Sequence, residues 1–178
     1  MAHIHQVHTD EDRAQARELF WEYLQWANGR VREEFGVDFD IRSMLEEDMA
    51  KLGIFLPPGG RLLLATEEGA VAGIACLKRL QNDIGEIKRM YVRPDFRRKG
   101  VGRALLERLV EEAKAIGYQT LRLDSARFMK TAHALYRSAG FREIESYPES
   151  EIPPEFRGHW VFMERQLQEG PSGTRRVG

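Results

Sequence analysis

Residues 92–106 read VRPDFRRKGVGRALL, and this stretch decides how the whole chain is interpreted. A strand-like apolar run ends at Val92, Pro94 stops it, and apolar residues at helical spacing begin within the stretch. Three cationic side chains and two glycines fill the interval between them, at residues 97–102. The first amides of a helix bind anions, glycine lets a phosphate approach the backbone closely, and arginine and lysine add positive charge. Residues 97–102 are therefore predicted to bind a diphosphate.

Two well-known nucleotide-binding motifs fit this segment less well. The P-loop pattern G-x-x-x-x-G-K-[ST] does not occur in the chain. The dinucleotide fingerprint requires G-x-G-x-x-G/A directly after a strand, but Leu105 stands at its third glycine position and Pro94 is among the residues that separate strand and glycines. Asp124 does lie near the acidic spacing of that fingerprint, so a nicotinamide site is the weaker alternative. A solvated charged turn is a further alternative, which the two glycines and the strong helix disfavour.

Apolar periodicity and turn residues predict strands and helices throughout residues 3–167. Strands are predicted at 3–8, 61–66, 70–77, 85–92, 120–124, 141–146 and 160–167, and helices at 11–27, 41–52, 101–116 and 130–139. Asn28-Gly29 is predicted to end the first helix and Gly117 the third. This order predicts one α/β domain of the α+β type around a single sheet, spanning residues 1–167. Residues 168–178 have no periodic apolar face and are predicted to be a disordered tail.

Composition argues against several classes of protein. The 27 Lys and Arg residues nearly balance the 28 Asp and Glu residues, so no global field points to nucleic acid or a membrane. No apolar run approaches the roughly 18–20 residues that span a bilayer, and the N-terminal residues do not resemble a secretory signal. The single cysteine, Cys76, lies in an apolar run and is predicted to be buried. Without an internal disulfide, the chain fits a cytoplasmic location.

No metal site is predicted. His3 and His5 share one side of the first predicted strand and His8 follows it. No carboxylate or cysteine joins these histidines at a recognised metal-ligand spacing, so an exposed or partly packed strand is the better interpretation.

The stretch 92–106 closely resembles the cofactor-binding motif of the GNAT superfamily of N-acetyltransferases, which has the form R/Q-x-x-G-x-G/A after a strand that ends near V-x-P. Downstream, residues 134–141 read ALYRSAGF and are similar to the later A-x-x-L-Y-x-x-x-G-F segment of that family. The two motifs occur in the order and spacing of the family, and the resemblance covers roughly residues 3–167. It implies a mixed, mostly antiparallel sheet flanked by helices, and acetyl transfer from acetyl-CoA to an amine without a metal.

The resemblance also implies a role for each matching residue. The main chain at the end of the strand would pair with the pantetheine arm like an added strand, and segment 97–102 would hold the pyrophosphate. The implied cofactor-binding residues are Met90, Tyr91, Val92, Arg97, Arg98, Lys99, Gly100, Val101, Gly102 and Lys130. Lys130 is included because Met129 stands where many relatives carry an asparagine that contacts the cofactor, and Lys130 or Thr131 is a candidate to replace that contact.

The implied reaction is direct attack of an amine on the thioester in a ternary complex. An alkyl ammonium has a pKa of about 10.4, so at pH 7 only about one molecule in 2,500 is the reactive amine, and a base would help. Glu86, on the strand leading to Met90, is the candidate base through a water molecule; the alternative is a surface carboxylate paired with Lys88. Tyr136 matches the tyrosine that faces the CoA sulfur in the family and is the candidate acid; the alternative is a half-buried helix aromatic.

The acceptor is the least determined feature of the sequence. Residues 20–60 and 147–159 are expected to line its site but match no acceptor signature. Their acidic residues would suit a cationic amine and are equally common on solvated loops: Glu33, Glu34, Asp38, Asp40, Glu149, Glu151 and Glu155. A small-molecule primary amine is the first hypothesis and a protein or peptide amine the second. A non-catalytic CoA-binding sensor is the third, and a nucleic-acid module is disfavoured by the balanced charge. A homodimer is compatible with the sequence but not indicated by it.

Overall fold

Strands and helices follow one another in the order that the sequence predicts, in a computed structural model that describes residues 1–167. The strands are β1 (His3–Gln6), β2 (Arg61–Glu67), β3 (Ala70–Gln81), β4 (Ile84–Val92), β5 (Thr120–Ala126), β6 (Arg142–Ile144) and β7 (Trp160–Gln166). The helices are α1 (Asp10–Phe35), α2 (Ile41–Ala50), α3 (Val101–Ile116) and α4 (Lys130–Ser138), with short 3₁₀ helices at Leu52–Phe55, Pro94–Phe96 and Pro154–His159. The predicted tail, residues 168–178, lies outside the described residues.

The seven strands form one sheet in the order β1-β2-β3-β4-β5-β7-β6. Of its neighbouring pairs, β4 and β5 run parallel and the others run antiparallel, which confirms the expected mixed, mostly antiparallel sheet. The parallel pair is short. Ile84–Glu86 of β4 pairs with Thr120–Arg122 of β5, and the two strands do not pair beyond these residues. The two strands therefore separate past Glu86 and leave a gap in the middle of the sheet.

A β-bulge in β4 lies where this gap opens. Ile74 of β3 pairs with Tyr91 and Cys76 pairs with Lys88, so Arg89 and Met90 together oppose a single β3 residue. Arg89 has a φ of 51°, which is unusual for a residue other than glycine. A bulge bends its strand and increases the local twist. The bend separates the end of β4 from β5.

The sheet carries an apolar core on each face. Alternate residues of β2 divide between the two cores, with Leu63 and Ala65 packing in the cluster of α3 and Leu62 and Leu64 packing in the cluster of α1. Cys76 is fully buried in the cluster of α1, as predicted, and its burial raises the thiol pKa well above the ordinary value. Both faces of the sheet are covered, so helices border the gap between β4 and β5.

The prediction that Asn28-Gly29 ends the first helix is wrong, since α1 continues to Phe35. Asn28 is buried, its amide nitrogen donates to Asp38 Oδ1 at 2.8 Å, and its carbonyl oxygen accepts the backbone N–H of Phe39 at 2.9 Å. The Asn28 side chain thereby makes hydrogen bonds with the loop that follows the helix, and it does not end the helix itself. Gly36, with a left-handed φ of 68°, is the residue that caps α1.

The remaining boundaries differ from prediction by a few residues. α3 spans 101–116 as predicted, and Gly117 caps it in the left-handed conformation. β3 extends to Gln81, whereas β1 ends at Gln6 and β6 covers only residues 142–144. Within residues 1–167, no helix combines the length and the apolar character that crossing a membrane requires.

Candidate active site

A cavity of about 970 Å³ occupies the gap between β4 and β5. Residues of both strands, of α1 and α2, of the N-terminal parts of α3 and α4, and of the loop at 151–153 line it. The predicted site residues among its lining are Met90, Tyr91, Val92, Arg97, Arg98, Gly100, Val101, Gly102, Lys130 and Tyr136. Lys99 and Glu86, the other two predicted site residues, do not line it.

The backbone at the start of α3 forms one end of the cavity. Arg98 and Gly100 adopt the left-handed conformation, with φ values of 63° and 80°, and such turns create concavities of converging amides. The backbone N–H groups from Arg98 to Gly102 donate to no acceptor among residues 1–167. Gly102 lines the cavity and presents no side chain to it. These features fit the pyrophosphate of CoA, because free amides at a helix N-terminus attract phosphate.

Cationic side chains surround the same end. Arg98, Arg103 and Lys130 line the cavity. Arg97 also lines it, and its guanidinium donates to the carbonyl of Val92 at 3.0 Å. The guanidinium carbon of Arg97 lies 5.3 Å from the ring centre of Trp26, a cation–π distance. In contrast, the ammonium of Lys99 lies over the ring of Phe96, 5.6 Å from its centre.

The unpaired edge of β4 forms the middle of the cavity. Met90, Tyr91 and Val92 line it, beyond the last residues that pair with β5. An extended ligand adds to such an edge through main-chain hydrogen bonds. The pantetheine arm of CoA, which contains two amides, has the chemistry that this edge accepts.

Tyr136 reaches the cavity from α4. Its side chain is buried and packs edge-on against Phe141, with ring centres 5.9 Å apart. Burial raises the pKa of Tyr136 above the ordinary tyrosine value, so the hydroxyl is protonated at neutral pH. Met129 occupies the position at which the family often carries asparagine, and it also lines the cavity. Its sulfur accepts a hydrogen bond from the hydroxyl of Ser125 at 3.5 Å.

Glu86 lies behind the cavity wall. Only 1% of its surface is exposed, and its Oε2 accepts the hydroxyl of Tyr147 at 2.7 Å. Lys78 and Lys88 lie 3.6 Å and 3.9 Å from its Oε1. Burial raises the pKa of Glu86, although Lys88 acts in the opposite direction. The structure thus buries Glu86 instead of leaving it as a surface carboxylate, and does not place it beside Tyr136 in the cavity. Its role as the base stays a prediction.

Four charged residues that sequence reasoning did not combine meet at the other end of the cavity: Lys88, Arg89, Asp124 and Glu151. The Lys88 ammonium lies 2.8 Å from Glu151 Oε1 and 3.6 Å from Asp124 Oδ2. Arg89 donates to Glu151 Oε1 at 2.9 Å and makes two hydrogen bonds with Asp48, at 2.8 Å and 3.0 Å. We call these four residues and Asp48 the charged cluster. No local motif marks it, because its members lie on four different segments of the chain.

The charged cluster favours the ionised forms of Lys88 and Glu151. Burial alone would lower the pKa of Lys88, but the neighbouring carboxylates, Asp124 and Glu151 first, raise it above the ordinary value. Burial would likewise raise the pKa of Glu151, but Lys88 and Arg89 lower it well below the ordinary range. Of the seven acidic residues proposed from sequence for the acceptor site, Glu151 alone lines this cavity. Asp40, for instance, caps α2 by accepting the backbone N–H of Ser43.

Aromatic side chains complete this end. Tyr23, Trp26, Phe39, Phe128 and Trp160 line the cavity. Behind them, the rings of Phe35 and His159 stack with centres 4.2 Å apart, which connects the end of α1 to the loop before β7. The cavity therefore has a basic end built from backbone amides and cations, and an aromatic end that holds the charged cluster. No group of three or more potential metal ligands occurs within the described part of the chain.

A mixed sheet that separates at its parallel pair, with an anion-binding helix N-terminus and a protonated tyrosine beside the gap, defines the class of acetyl-CoA-dependent N-acetyltransferases. The Acetyltransferase (GNAT) family matches residues 13–141, and the chain belongs to this family. It is therefore an enzyme that transfers an acetyl group from acetyl-CoA to an amine. The family, the fold class and the co-substrate expected from sequence are confirmed.

Similar proteins agree with this assignment. An uncharacterized N-acetyltransferase of Schizosaccharomyces pombe is 30% identical over 152 residues, which are 84% of this chain and 88% of that protein. The IAA acetyltransferase of Azospirillum brasilense is 39% identical over 87 residues, or 48% of this chain and 57% of that protein. The PaiA N-acetyltransferase of Thermoplasma acidophilum, solved in complex with coenzyme A, shares the fold with a TM-score of 0.70 at 20% identity, over 93% of this chain and 99% of that one.

Proposed function

We propose that the enzyme acetylates the primary amine of a small molecule. The observation that carries this proposal is the set of aromatic side chains that line this end of the cavity: Tyr23, Trp26, Phe39, Phe128 and Trp160. The stacked Phe35 and His159 join α1 to the loop before β7, and Phe39 contacts Phe156 of that loop edge-on, with ring centres 5.6 Å apart. A peptide bound in extended form needs an open groove or a sheet edge. A cavity end lined by aromatic side chains instead fits an amine attached to a compact apolar body.

In this proposal the basic end binds the nucleotide part of the co-substrate. The amides of residues 98–102 hold the pyrophosphate, and Arg97, Arg98 and Lys130 balance its charge. Met90, Tyr91 and Val92 align the pantetheine arm along β4. Lys99, which packs over Phe96, contributes by raising the local positive potential. Acetyl-CoA supplies the activated acetyl group, and the chain supplies its position and the proton transfers.

Tyr136 acts as the acid in this proposal. Its hydroxyl stays protonated in the cavity and donates its proton to the sulfur that leaves as the thioester bond breaks. Glu86, the base predicted from sequence, does not line the cavity, so it has no direct contact with an acceptor bound there.

The test is thiol release from acetyl-CoA by the full chain against small amines, amino acids, polyamines and peptides, with calorimetry for co-substrate binding. Turnover with a small amine, and none without an acceptor, is the expected result. Turnover with peptides alone would replace this proposal with a protein or peptide acetyltransferase. Co-substrate binding without turnover over the whole panel would instead favour the CoA-binding sensor. The matched control is Tyr136→Phe, which should bind acetyl-CoA normally and turn over slowly.

A cytoplasmic location and a homodimer stay predictions from the sequence. Two measurements address them: cell fractionation with an antibody against the native chain, and light scattering with and without acetyl-CoA. Binding of random oligonucleotides that weakens with salt would revive the nucleic-acid hypothesis.

A further inference from the structure

We propose that Asp124, on the β5 side of the gap, is the carboxylate that accepts the proton of the acceptor amine. This inference rests on the proposed function and names a residue of the same site. Asp124 lines the cavity together with Tyr136 and Lys88. Its side chain is 7% exposed, so it is largely shielded from bulk water.

The hydrogen bonds of Asp124 leave one carboxylate oxygen available. Oδ2 accepts the hydroxyl of Ser150 at 3.1 Å and lies 3.6 Å from the Lys88 ammonium. Oδ1 accepts no hydrogen bond from residues 1–167. Oδ1 is not fully enclosed by protein atoms, so a ligand or water in the cavity can reach it and donate to it. An ammonium or amine in the cavity is such a donor.

The other carboxylates near this end are less suited to the role. Glu151 Oε1 is shared between Lys88 and Arg89 at 2.8 Å and 2.9 Å, so both cations compete with any substrate for it. Asp48 is held by two hydrogen bonds from Arg89. Glu86 is 1% exposed and absent from the lining. Glu47 of α2 also lines the cavity but is exposed, whereas Asp124 is a largely buried carboxylate that keeps an uncommitted oxygen.

Titratable groups face Asp124 from each element packed around it. They are Lys88 and Glu86 on β4, Tyr147 and Glu151 on the loop before β7, Tyr136 on α4, and Tyr23 on α1. Lys88 is the cation closest to Asp124, with its ammonium 3.6 Å from Oδ2. The three tyrosines are protonated at neutral pH because burial raises the pKa of each.

The proton balance closes with two side chains. The amine nitrogen forms a bond to the thioester carbon, and its N–H proton passes to Asp124 Oδ1. The carbon–sulfur bond breaks, and the sulfur takes the hydroxyl proton of Tyr136. The proton on Asp124 then returns to the tyrosine oxygen through water, which restores both residues and leaves an amide and a thiol as products.

The test compares Asp124→Asn with Glu86→Gln and with Asp83→Asn, an exposed carboxylate at the β3–β4 turn that serves as the matched control. Asp124→Asn should lower kcat/KM for the amine by about 100-fold or more at pH 7, the usual range for removing a general base. The defect should shrink as pH rises towards the amine pKa, because free amine and hydroxide replace the lost base. Asp83→Asn should match the wild type, and the calorimetric affinity for acetyl-CoA should be unchanged in all three variants.

Two results would overturn the role of Asp124. One is wild-type kcat/KM in Asp124→Asn at every pH, and the other is a defect of constant size across pH, which a positioning role would give. Loss of activity in Glu86→Gln alone would assign the base to Glu86. A wild-type enzyme that turns over no amine would overturn the proposed function itself, and is thereby distinguishable from either result.

A second variant serves in case Asp124→Asn does not fold. Ser150→Ala removes the hydroxyl that donates to Asp124 Oδ2 but leaves every charge in place. It should lower kcat/KM for the amine several-fold and leave acetyl-CoA affinity unchanged. Wild-type kcat/KM in a folded Ser150→Ala enzyme contradicts the proposal.

Discussion

The two ends of the cavity are built in opposite ways. The basic end consists largely of consecutive backbone groups, residues 98–102, that precede and begin one helix. The charged cluster at the aromatic end joins side chains that are distant in sequence, such as Arg89 with Asp48, 41 residues away, and with Glu151, 62 residues away. The first end is a local structure that a short motif encodes. The second exists only once the whole domain has folded, so the same kind of substitution should have different consequences at the two ends.

The largest expected effect is on stability, at the charged cluster. Arg89→Ala leaves the largely buried Asp48 without its cation, and breaking a buried ion pair in this way typically costs about 3–5 kcal/mol. Lys99→Ala at the basic end removes an exposed charge and should change the free energy of unfolding by less than about 0.5 kcal/mol. Urea unfolding of the two variants measures the contrast. Equal stability of both would mean that the cluster does not hold the domain together.

The next largest effect is on catalysis and concerns Tyr136, which lines the cavity between its two ends. Tyr136→Phe should lower kcat about 100-fold, because the leaving sulfur loses its proton donor, while the affinity for acetyl-CoA stays within about twofold. Steady-state kinetics and calorimetry separate the two quantities. Full kcat in Tyr136→Phe would remove the tyrosine as the acid and leave it as a packing residue against Phe141.

A third effect is on binding alone, at the basic end. A Cβ on Gly102 would lie 3.5 Å from Leu135, 3.7 Å from Met90 and 3.7 Å from Val92, which are ordinary contacts, so the fold should accept a side chain there. Gly102→Val would nevertheless place methyl groups where phosphate approaches the backbone. We expect about a 30-fold loss of acetyl-CoA affinity, about 2 kcal/mol, with unchanged unfolding.

Gly102→Ala is the graded control for this substitution and should lose affinity only a few-fold. If Gly102→Val binds acetyl-CoA as tightly as the wild type, the pyrophosphate does not lie against the start of α3. The basic end would then be a charged surface of the cavity instead of a phosphate site.

The contrast between local and distant structure also accounts for which features could be predicted. The start of α3, its end at Gly117 and the phosphate segment follow from neighbouring residues, and α3 was predicted to its boundaries. The end of α1 could not be predicted in this way. Asn28 forms hydrogen bonds with Asp38 and Phe39, and these hydrogen bonds exist only in the folded loop.

The position of Glu86 was equally beyond sequence patterns. Strand alternation shows that Glu86 and Lys88 share a face, but the bulge at Arg89 and the separation of β4 from β5 decide which residues reach the cavity. A positive φ at a non-glycine residue leaves no mark in the sequence. Asp124 was noticed only for its spacing from the glycines, whereas its partners Ser150 and Lys88 come from other segments.

The smallest predicted effect concerns a locally encoded feature outside the cavity, the start of α1, whose other end lines the aromatic end. The Asp12 carboxylate receives the backbone N–H groups of His8 and Thr9 at 3.0 Å and 3.1 Å within a capping box. Partial burial opposes ionisation, but these hydrogen bonds prevail and lower the pKa of Asp12 to about 2. Because the folded-state pKa is below the unfolded value, this stabilisation is present above about pH 4 and is lost as the pH falls towards 2.

Asp12→Asn should therefore cost about 1 kcal/mol at pH 7, the usual size of a lost cap, and progressively less as the pH falls to 2 and the wild-type carboxyl is increasingly protonated. Unfolding curves between pH 7 and pH 2 measure the convergence, with Asp10→Asn, an exposed neighbour in the same turn, as the control. The KM for the acceptor should not change, because Asn28 fixes the other end of α1, where the helix lines the cavity. A raised KM would mean that a local cap at one end of α1 controls the aromatic end, and that the two ends of the cavity differ less in their construction than the structure indicates.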